Sequence, residues 1–508
     1  MSPGRPTKTS CRSRWRAIRC RLRRQNRPSC RSTRQNRLMQ FTGVSLDSRR
    51  MRPGWLYVAL PGNKTHGARF AAEAVAGGAA GILTDAAGSE IIGDCGVPVL
   101  LSPDPRSEMA QVAAEIYGYP ARQMRMYGVT GTAGKTTTVM LLAAALEAAQ
   151  VTVGTIGTLG FFVGGREVET SRTTVTTPES PDVQALLAQM RDAGAATVAM
   201  EVTSHALALH RVDGIVYDVA AFTNLGHDHL DYHGDQESYF QAKATLFTPE
   251  RCRQAVVNID DPYGRRIAAQ VAGKMPLATT SVGGDADYVV TADEVDAAGR
   301  HHFRLRTPTG EHALECGLIG AFGVRNAMVA AAILESDGVD LSVAGPGFAT
   351  AYIPGRMQRV ELGPGAPFVV VDFAHTPETV GAALSALPAG RRIAVLGAGG
   401  ERDKAKRRPM GEYAARNADV VVVTDDNPRS ETPADIRAEV LAGARGLGAQ
   451  VIDGGDRRAA IATALRLAGP GDWVAILGRG HEREQELSTG RIPFSDVAVV
   501  REVWRARG

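Results

Sequence analysis

GVTGTAGKTTT, residues 128–138, is the stretch of sequence that decides the fold of this chain. The apolar run MYGVT precedes its glycine-rich turn, and TTTVMLLAAALEAA follows it as a predicted helix. A strand, a glycine turn and a helix in this order present backbone N–H groups and a positive helix terminus to phosphate oxygens. Lys135 can reach the outer phosphates and Thr136 can offer a hydroxyl to Mg²⁺. Val129 stands where the strict pattern has glycine, so the prediction of a phosphate-binding loop relies on this strand–helix context.

Short apolar runs recur after this loop. Two lie at residues 196–202 and 217–225, and a clearer series follows residue 366: PFVVVDF, RRIAVLG, ADVVVVTDD, AQVIDG and DWVAILG. Predicted helices, such as PETVGAALSAL and TPADIRAEVLAGAR, lie between them. Alternation of this kind predicts an α/β fold whose parallel sheets are covered by helices. In such sheets ligands bind beyond the carboxyl ends of the strands.

Composition and charge exclude several classes of protein. The 508 residues are 44% hydrophobic and 22% charged, which is typical of globular domains, and no apolar run is long enough to span a membrane. Residues 1–40 carry +13 and no acidic residue, so residues 41–508 carry −9 of the total of +4. We expect the basic segment to be a disordered tail or a mis-assigned start, with a nucleic-acid-binding arm as the alternative. The scattered cysteines indicate a reducing cytosol.

Polar residues that could bind ligands or take part in catalysis lie at the ends of the apolar runs. Glu201 closes ATVAME, where a Mg²⁺-bound nucleotide needs a carboxylate. HDHLDYHG, residues 227–234, favours magnesium and substrate organisation, while a zinc site and a polar surface loop stay open as alternatives. Spacing alone predicts that Lys243 is an exposed surface lysine. Near the chain end, Arg402 and Arg429 lie close to acidic residues, a combination that can clamp a substrate bearing carboxylate and ammonium groups.

Taken in chain order, these segments resemble the Mur ligase family of ATP-dependent amide-bond ligases. The resemblance runs from LDSR at 46–49 to GRGHE at 478–482. Between them lie the GTxGKTT loop, TTPES, EVTSHAL, DHLDYHG, AKATLF, GRMQRV, DFAHTPE, GGERDKAKRRPMG and DDNPR. The resemblance implies three α/β domains: a small UDP-binding domain at 41–123, a central P-loop ATPase domain with a parallel sheet at 124–350, and a C-terminal Rossmann-like, amino-acid-binding domain at 351–508.

The resemblance also implies roles for individual residues. Those expected to bind ATP are Gly131, Thr132, Ala133, Gly134, Lys135, Thr136, Thr137, Asn326, Arg356 and His375. Those expected to hold the UDP-linked muramoyl dipeptide are Leu46, Ser48, Thr176, Thr177, Thr203, Ser204 and Arg211. The expected magnesium ligands are Thr136, Glu201, His229 and Lys243, the last as a carbamylated lysine. Those expected to recognise the incoming amino acid are Arg402, Asp426, Asn427, Pro428, Arg429, Gly478 and Glu482.

The DNPR sequence is similar to that of family members that add meso-2,6-diaminopimelate, whose extra carboxylate pairs with the arginine. The resemblance therefore implies a cytoplasmic, monomeric, ATP- and Mg²⁺-dependent ligase of peptidoglycan precursor synthesis. It would join diaminopimelate to the D-glutamate of UDP-N-acetylmuramoyl-L-alanyl-D-glutamate through an acyl phosphate, with no nucleic acid involved. The alternatives are a lysine-adding or folylpolyglutamate-type ligase of the same superfamily, and a non-ligase P-loop ATPase that binds nucleic acid through the basic tail.

Four residues depart from the family pattern. Ala133 replaces a frequent Asn, Gly323 replaces the first Asn of an FNxxN-like segment, Phe373 replaces a Tyr and Arg479 replaces a Lys. We expect these changes to affect rate or affinity and to leave the reaction type unchanged. The short leader helix expected before LDSR is absent from the sequence, so a mis-assigned start would remove part of the UDP-binding domain.

Overall fold

The computed structural model describes residues 41–507 except Asn63, Glu169, residues 171–175, His227 and Ala297. The basic segment predicted to be disordered, residues 1–40, lies outside the described residues, and so does the first residue of HDHLDYHG. Within the described part of the chain, no helix is both long enough and apolar enough to cross a bilayer.

The first sheet has four parallel strands in chain order. They are β1 (Gly43–Ser45), β2 (Trp55–Ala59), β3 (Ala79–Thr84) and β4 (Val99–Leu101). The α-helices beside them are α1 (Ala71–Ala76), α2 (Ala86–Ile92) and α3 (Pro105–Ile116). Short 3₁₀ helices cover Ser48–Arg50, Gly67–Phe70 and Pro120–Gln123.

The second sheet has eleven strands and contains the phosphate-loop motif. Its strands are β5 (Arg125–Thr130), β6 (Val153–Gly157), β7 (Gly160–Val163), β8 (Arg166–Glu167), β9 (Thr197–Glu201), β10 (Val219–Phe222), β11 (Ala255–Asn258), β12 (Leu277–Ser281), β13 (Tyr288–Val295), β14 (His301–Thr307) and β15 (Gly310–Cys316). Their order is β15-β14-β13-β12-β11-β10-β5-β9-β6-β7-β8, and the stretch from β13 to β6 is parallel. Antiparallel hairpins extend both edges.

Helices cover both faces of this sheet and complete two apolar cores. They are α4 (Lys135–Ala148), α5 (Ser180–Asp192), α6 (Ser204–Ala208), α7 (Leu230–His233), α8 (Gln236–Ala244), α9 (Pro262–Val271), α10 (Ala321–Ser336), α11 (Leu341–Ala344) and α12 (Pro346–Thr350). Because β5 lies between β10 and β9, the loop that follows β5 lies beside the carboxyl ends of both neighbours.

The third sheet has the order β16-β17-β21-β18-β19-β20, parallel except for β16. Its strands are β16 (Gln358–Arg359), β17 (Phe368–Asp372), β18 (Arg392–Leu396), β19 (Val420–Thr424), β20 (Gln450–Gly455) and β21 (Trp473–Leu477). A separate hairpin joins β22 (Glu484–Leu487) to β23 (Gly490–Pro493). The helices are α13 (Pro377–Ser385), α14 (Arg407–Asn417), α15 (Pro433–Ala444), α16 (Arg457–Leu467) and α17 (Asp496–Arg505).

Polar contacts join the three sheets. Arg50 pairs with Asp182 at 3.2 Å and Arg106 with Glu179 at 3.1 Å, which ties the first sheet region to α5. Arg359 donates to the carbonyl of Ala298 at 2.9 Å, which links the third sheet to the second.

The predicted α/β class with parallel sheets is confirmed. Every apolar run singled out after residue 366 forms a strand of the third sheet. The domain boundaries at residues 123/124 and 350/351 stay a prediction. The antiparallel extension β13–β15 was not predicted.

Candidate active site

The phosphate-binding loop joins β5 to α4 and requires glycine at two positions. Gly131 and Gly134 have φ angles of 151° and 88°, values that other residues adopt only with strain. A Cβ atom at Gly134 would lie 2.4 Å from Oδ1 of Asn326, and one at Gly131 would lie 2.0 Å from Oγ1 of Thr223. Asn326, expected near the adenine, therefore packs against the underside of the loop, where it also accepts from Thr138 Oγ1 at 3.4 Å.

Two residues at the end of β10 hold this loop, and the sequence analysis missed both. Asn224 Oδ1 accepts from the N–H of Ala133 at 3.0 Å, and Asn224 Nδ2 donates to the Ala133 carbonyl at 3.1 Å. Thr223 Oγ1 donates to the same carbonyl at 2.6 Å. Their position at the end of the run 217–225 was the available signal, but it carries meaning only when β10 is known to neighbour β5.

Lys135 points back over the loop. Its Nζ donates to the carbonyl oxygens of Gly131 and Thr132, both at 2.9 Å. Desolvation lowers the pKa of Lys135, the nearby charge of Arg356 lowers it further, and the carboxylates of Glu201 and Asp228 oppose the shift. The amine lies where phosphate oxygens would replace the two carbonyls as its partners.

Thr136 and Glu201 fit a magnesium ion. Glu201 ends β9 and is 1% exposed, and its carboxylate accepts from the N–H of Thr158 at 2.8 Å. Thr136 and Glu201 line the same small cavity beside α4. One hydroxyl and one carboxylate suit Mg²⁺, which binds few protein oxygens and completes its shell with water and phosphate.

Lys243 is buried, so the surface position indicated by its spacing is wrong. The residue is 1% exposed on the inner face of α8, where its Nζ donates to the Gly131 carbonyl at 2.9 Å and lies 4.6 Å from the centre of the Tyr239 ring. Burial holds the pKa of Lys243 well below its usual value, and the charge of Lys135 adds to this effect, while Asp228 opposes it. The amine under the phosphate loop is therefore less basic than that of an exposed lysine.

His229 lies near Tyr239, the residue whose ring the Lys243 amine contacts. Its φ angle is 54°, and its ring centre lies 4.8 Å from that of His205 and 6.1 Å from that of Tyr239. Among the described residues, no three His, Cys, Asp or Glu side chains are arranged to hold a metal ion, as a zinc site would require. Asp228, whose charge acts on both lysines, is a site residue that the sequence analysis did not single out.

The residues expected to hold the muramoyl dipeptide form a connected cradle next to Glu201. Thr177 Oγ1 donates to the Glu201 carbonyl at 2.9 Å and accepts from the N–H of Thr203 at 3.3 Å. Arg211 donates to the Thr177 carbonyl at 3.1 Å. The hydroxyl of Thr176 lies 3.2 Å from that of Thr158, which also contacts Glu201.

The remaining members of this set lie further out. Ser204 Oγ lies 2.9 Å from Nε2 of His233, at the start of α6. Leu46 follows β1 of the first sheet, and Ser48 begins the 3₁₀ helix Ser48–Arg50. Leu46 packs against the apolar core there, and Ser48 Oγ donates to Glu73 at 2.5 Å. The described contacts do not join these two residues to the Thr177 cradle.

Arg356 and His375 flank Phe373, the residue that departs from the family pattern. The Arg356 guanidinium lies 4.8 Å from the ring centre of Phe373, and the His375 ring lies 4.7 Å from it. The ring of His481 lies 5.3 Å away on the other side. This aromatic cluster therefore connects the residues expected at the nucleotide to the GRGHE loop.

The loops after β19 and β21 form one network. Asn427 Nδ2 donates to Glu482 at 2.8 Å, and a Cβ atom at Gly478 would lie 2.5 Å from Asp426 Oδ2. Burial raises the pKa of Glu482 despite the hydrogen bond from Asn427, and the charge of Asp426 adds to the rise. Arg479, which replaces the family lysine, is buried and donates to Asn427 Oδ1 at 2.7 Å.

Arg429 lies at the edge of this network. Its Nη1 donates to the Gly400 carbonyl at 2.6 Å, and its backbone has a φ angle of 54°. The Pro428 carbonyl accepts from the N–H of Glu431 at 3.1 Å and closes the loop. Arg402 is exposed on the glycine turn after β18, next to this loop. The expected amino-acid site thus presents guanidinium and carboxylate groups side by side.

Comparison with known proteins agrees with this arrangement. Family models described as the Mur ligase family catalytic domain, the Mur ligase middle domain and the Mur ligase glutamate ligase domain match residues 40–117, 129–334 and 355–480. The chain is 46% identical over 476 residues to a UDP-N-acetylmuramoyl-L-alanyl-D-glutamate–2,6-diaminopimelate ligase of Streptomyces coelicolor, with 91% of this chain and 92% of the relative covered. A ligase of the same name from Corynebacterium glutamicum is 44% identical over 462 residues, covering 88% of each chain.

A solved structure of a UDP-N-acetylmuramoyl-L-alanyl-D-glutamate–2,6-diaminopimelate ligase superimposes with a TM-score of 0.67 at 32% identity. The match covers 92% of this chain and 95% of that one. The similarities extend over almost the whole length of the chain, and they agree with the motifs and with the three sheets. The chain belongs to the Mur ligase family of ATP-dependent, amide-bond-forming ligases.

Proposed function

We propose that this ligase adds meso-2,6-diaminopimelate to the D-glutamate of UDP-N-acetylmuramoyl-L-alanyl-D-glutamate, a step of peptidoglycan precursor synthesis. The observation that carries the proposal is the 46% identity to a ligase of that name over 91% of the chain. The DDNPR loop supports it, because Arg429 supplies a guanidinium and Asn427 of the same loop contacts the carboxylate of Glu482, a combination suited to a substrate with separate carboxylate and ammonium groups.

The first step is attack of the D-glutamate γ-carboxylate on the γ-phosphorus of ATP. A new O–P bond forms and the bond to the bridging oxygen of ADP breaks. The cradle of Thr176, Thr177 and Arg211 would orient the carboxylate, and positive charges of Lys135 and Arg356 would spread the charge that develops on the phosphate oxygens. Positioning supplies most of the catalysis, since no enzyme nucleophile is needed.

The second step is attack of the neutral amine of diaminopimelate on the carbonyl carbon of the acyl phosphate. A C–N bond forms, inorganic phosphate leaves and the nitrogen loses a proton. Arg402, Arg429, Asp426 and Glu482 would orient the amino acid. The Phe373 ring connects the GRGHE loop, through His481, to Arg356, which is expected to bind ATP.

Magnesium would be held by Thr136 and Glu201 at the phosphate loop, with a second ion near His229 and Lys243. When bound, it neutralises phosphate charge and fixes the orientation of the transferred group.

Lys243 is proposed to carry a carbamate. Its lowered pKa favours the neutral form of the amine, and that form can attack CO₂, which forms an N–C bond and releases one proton. The product is a carboxylate where a lysine cation would repel metal ions. Labelled bicarbonate should give a carbamate carbon signal in the NMR spectrum of the wild-type protein, and Lys243→Ala should abolish it. A signal that persists in the variant would contradict the assignment.

The proposed reaction is tested with the purified chain, ATP, Mg²⁺ and the UDP-linked dipeptide. Phosphate release and a tripeptide product are expected only when meso-diaminopimelate is added. Equal turnover with lysine would favour the lysine-adding alternative, and turnover of a folate–glutamate substrate would favour the folylpolyglutamate type. Arg429→Ala should lose selectivity against lysine only in a diaminopimelate enzyme.

The remaining proposals concern partners and place of action. We propose a monomer that works in the cytoplasm without nucleic acid. Salt-dependent DNA binding that is lost on deletion of residues 1–40 would contradict the last point.

A further inference from the structure

We propose that Glu486, on the hairpin β22–β23, is a positioning residue that aims Arg429 at the side-chain carboxylate of the incoming amino acid. The inference rests on the proposed function and deepens it, because it assigns a specificity determinant outside the DDNPR and GRGHE motifs.

Residue 486 holds the DDNPR loop at three points. Its carbonyl accepts from the N–H of Arg429 at 3.1 Å, and its N–H donates to Asn427 Oδ1 at 2.9 Å. Its carboxylate accepts from Arg429 Nε at 2.7 Å. Arg429 has a left-handed backbone with φ 54°, which a non-glycine residue keeps only when its surroundings fix it. The hairpin supplies that constraint.

The contacts also select which part of the guanidinium is presented. Glu486 accepts from Nε, and Nη1 donates to the carbonyl oxygens of Gly400 at 2.6 Å and Asn427 at 3.5 Å. None of these described bonds involves Nη2, so Nη2 is the nitrogen that presents its N–H groups to a substrate carboxylate. Because Glu486 orders the long side chain of Arg429 before the substrate binds, less side-chain rotamer entropy is lost on binding.

Glu486 has a second cationic partner, because Arg491 Nη2 donates to its Oε1 at 2.6 Å. Arg491 is 67% exposed and contacts Glu486 from the solvent side, so it is a matched control for the charge of the hairpin.

The test compares Glu486→Ala, Glu486→Gln and Arg491→Ala with the wild-type enzyme in steady-state kinetics. Glu486→Ala should raise the KM for diaminopimelate about tenfold, the value of one charge-assisted hydrogen bond, while the KM for ATP stays unchanged. Glu486→Gln should keep much of the wild-type KM, because its amide oxygen can still accept from Arg429 Nε. Arg491→Ala should change the KM for diaminopimelate no more than about twofold.

Several results would overturn the inference. An unchanged or lower KM for diaminopimelate in Glu486→Ala would mean that Glu486 is irrelevant or competes with the substrate. An equal rise in the KM for ATP, or an equal effect of Arg491→Ala, would indicate general loosening of the hairpin. Wild-type enzyme that does not turn over diaminopimelate would refute the proposed function itself. Failure of the proposed function and failure of the role of Glu486 are therefore distinguishable.

Discussion

Removing the charge of Asp496 should destabilise the third sheet by roughly 3–5 kcal/mol, the cost of leaving a buried ion without its partner. Arg457 Nε and Nη2 donate to the Asp496 carboxylate at 2.7 and 2.8 Å, and the two side chains are 0% and 1% exposed. Arg457 also donates to the Leu477 carbonyl at 3.0 Å, at the end of β21. In Asp496→Asn the guanidinium would stay charged and buried, with only part of its hydrogen bonding satisfied.

Arg457 lies on α16 and Asp496 on α17, and these two helices also contain a matched control pair. Arg458 on α16 pairs with Glu502 on α17 at 2.8 Å, but these side chains are 54% and 55% exposed. Water screens such a pair, so Glu502→Gln should cost no more than about 0.5 kcal/mol. The contrast isolates burial as the cause, because both pairs join the same helices.

Amide hydrogen exchange of β21, followed by mass spectrometry, is the suitable assay, since a chain with three sheets need not unfold in a single transition. Exchange of Trp473–Leu477 should be at least about a hundredfold faster in Asp496→Asn, because each 1.4 kcal/mol corresponds to about a factor of ten. The double variant Arg457→Met/Asp496→Leu should recover part of the protection, since both members of the buried pair are removed, although the longer 4.0 Å pair of Arg457 with Asp426 and the hydrogen bond to the Leu477 carbonyl are lost as well. Equal small effects of Asp496→Asn and Glu502→Gln, or a double variant worse than the single one, would refute the reasoning.

Three further predictions concern the active site. Gly134→Ala should weaken ATP binding more than about tenfold, measured by calorimetry. The added Cβ would lie 2.4 Å from Asn326 Oδ1, and the backbone φ angle of 88° strains any residue other than glycine. Unchanged affinity would contradict the loop geometry. Gly323→Asn should lower the free energy of unfolding by about 1–3 kcal/mol, measured by thermal unfolding, because its Cβ would lie 3.0 Å from the Cβ of Leu318. A more stable variant would show that the space around residue 323 accepts a side chain. The KM for diaminopimelate should rise as pH falls through the raised pKa of Glu482, since only the carboxylate attracts an ammonium group, and Glu482→Gln should remove this dependence.

The strands and the phosphate loop were predictable because their signals are local. The run before Gly131 and the helix after Gly134 are contiguous in sequence, and the turn between them needs glycine for reasons of backbone conformation. The alternating pattern of β14, with every second residue of HHFRLRT buried, was also a local signal, although it was not used to predict that strand.

The burial of Lys243 was not predictable from spacing. A lysine on a short helix is normally solvated, and the desolvation of this one depends on contact with the carbonyl of Gly131, 112 residues away in sequence. The motif resemblance assigned Lys243 to the nucleotide site, which stays a prediction, and it carries information about tertiary contacts that periodicity lacks. Asn224 shows the same limit, since its role depends on which strand lies beside β5.

The strand order of the third sheet explains why its polar loops could be recognised one by one but not assembled. The chain visits β17, β18, β19 and β20 before β21, yet β21 inserts between β17 and β18. That insertion brings the GRGHE loop against both the Phe373 cluster and Asn427 of the DDNPR loop, so one late strand connects the nucleotide side of the site to the amino-acid side. It also places the following hairpin where Glu486 can reach Arg429. The specificity that we propose for the site would therefore depend on a neighbour relation that no segment of the sequence contains by itself.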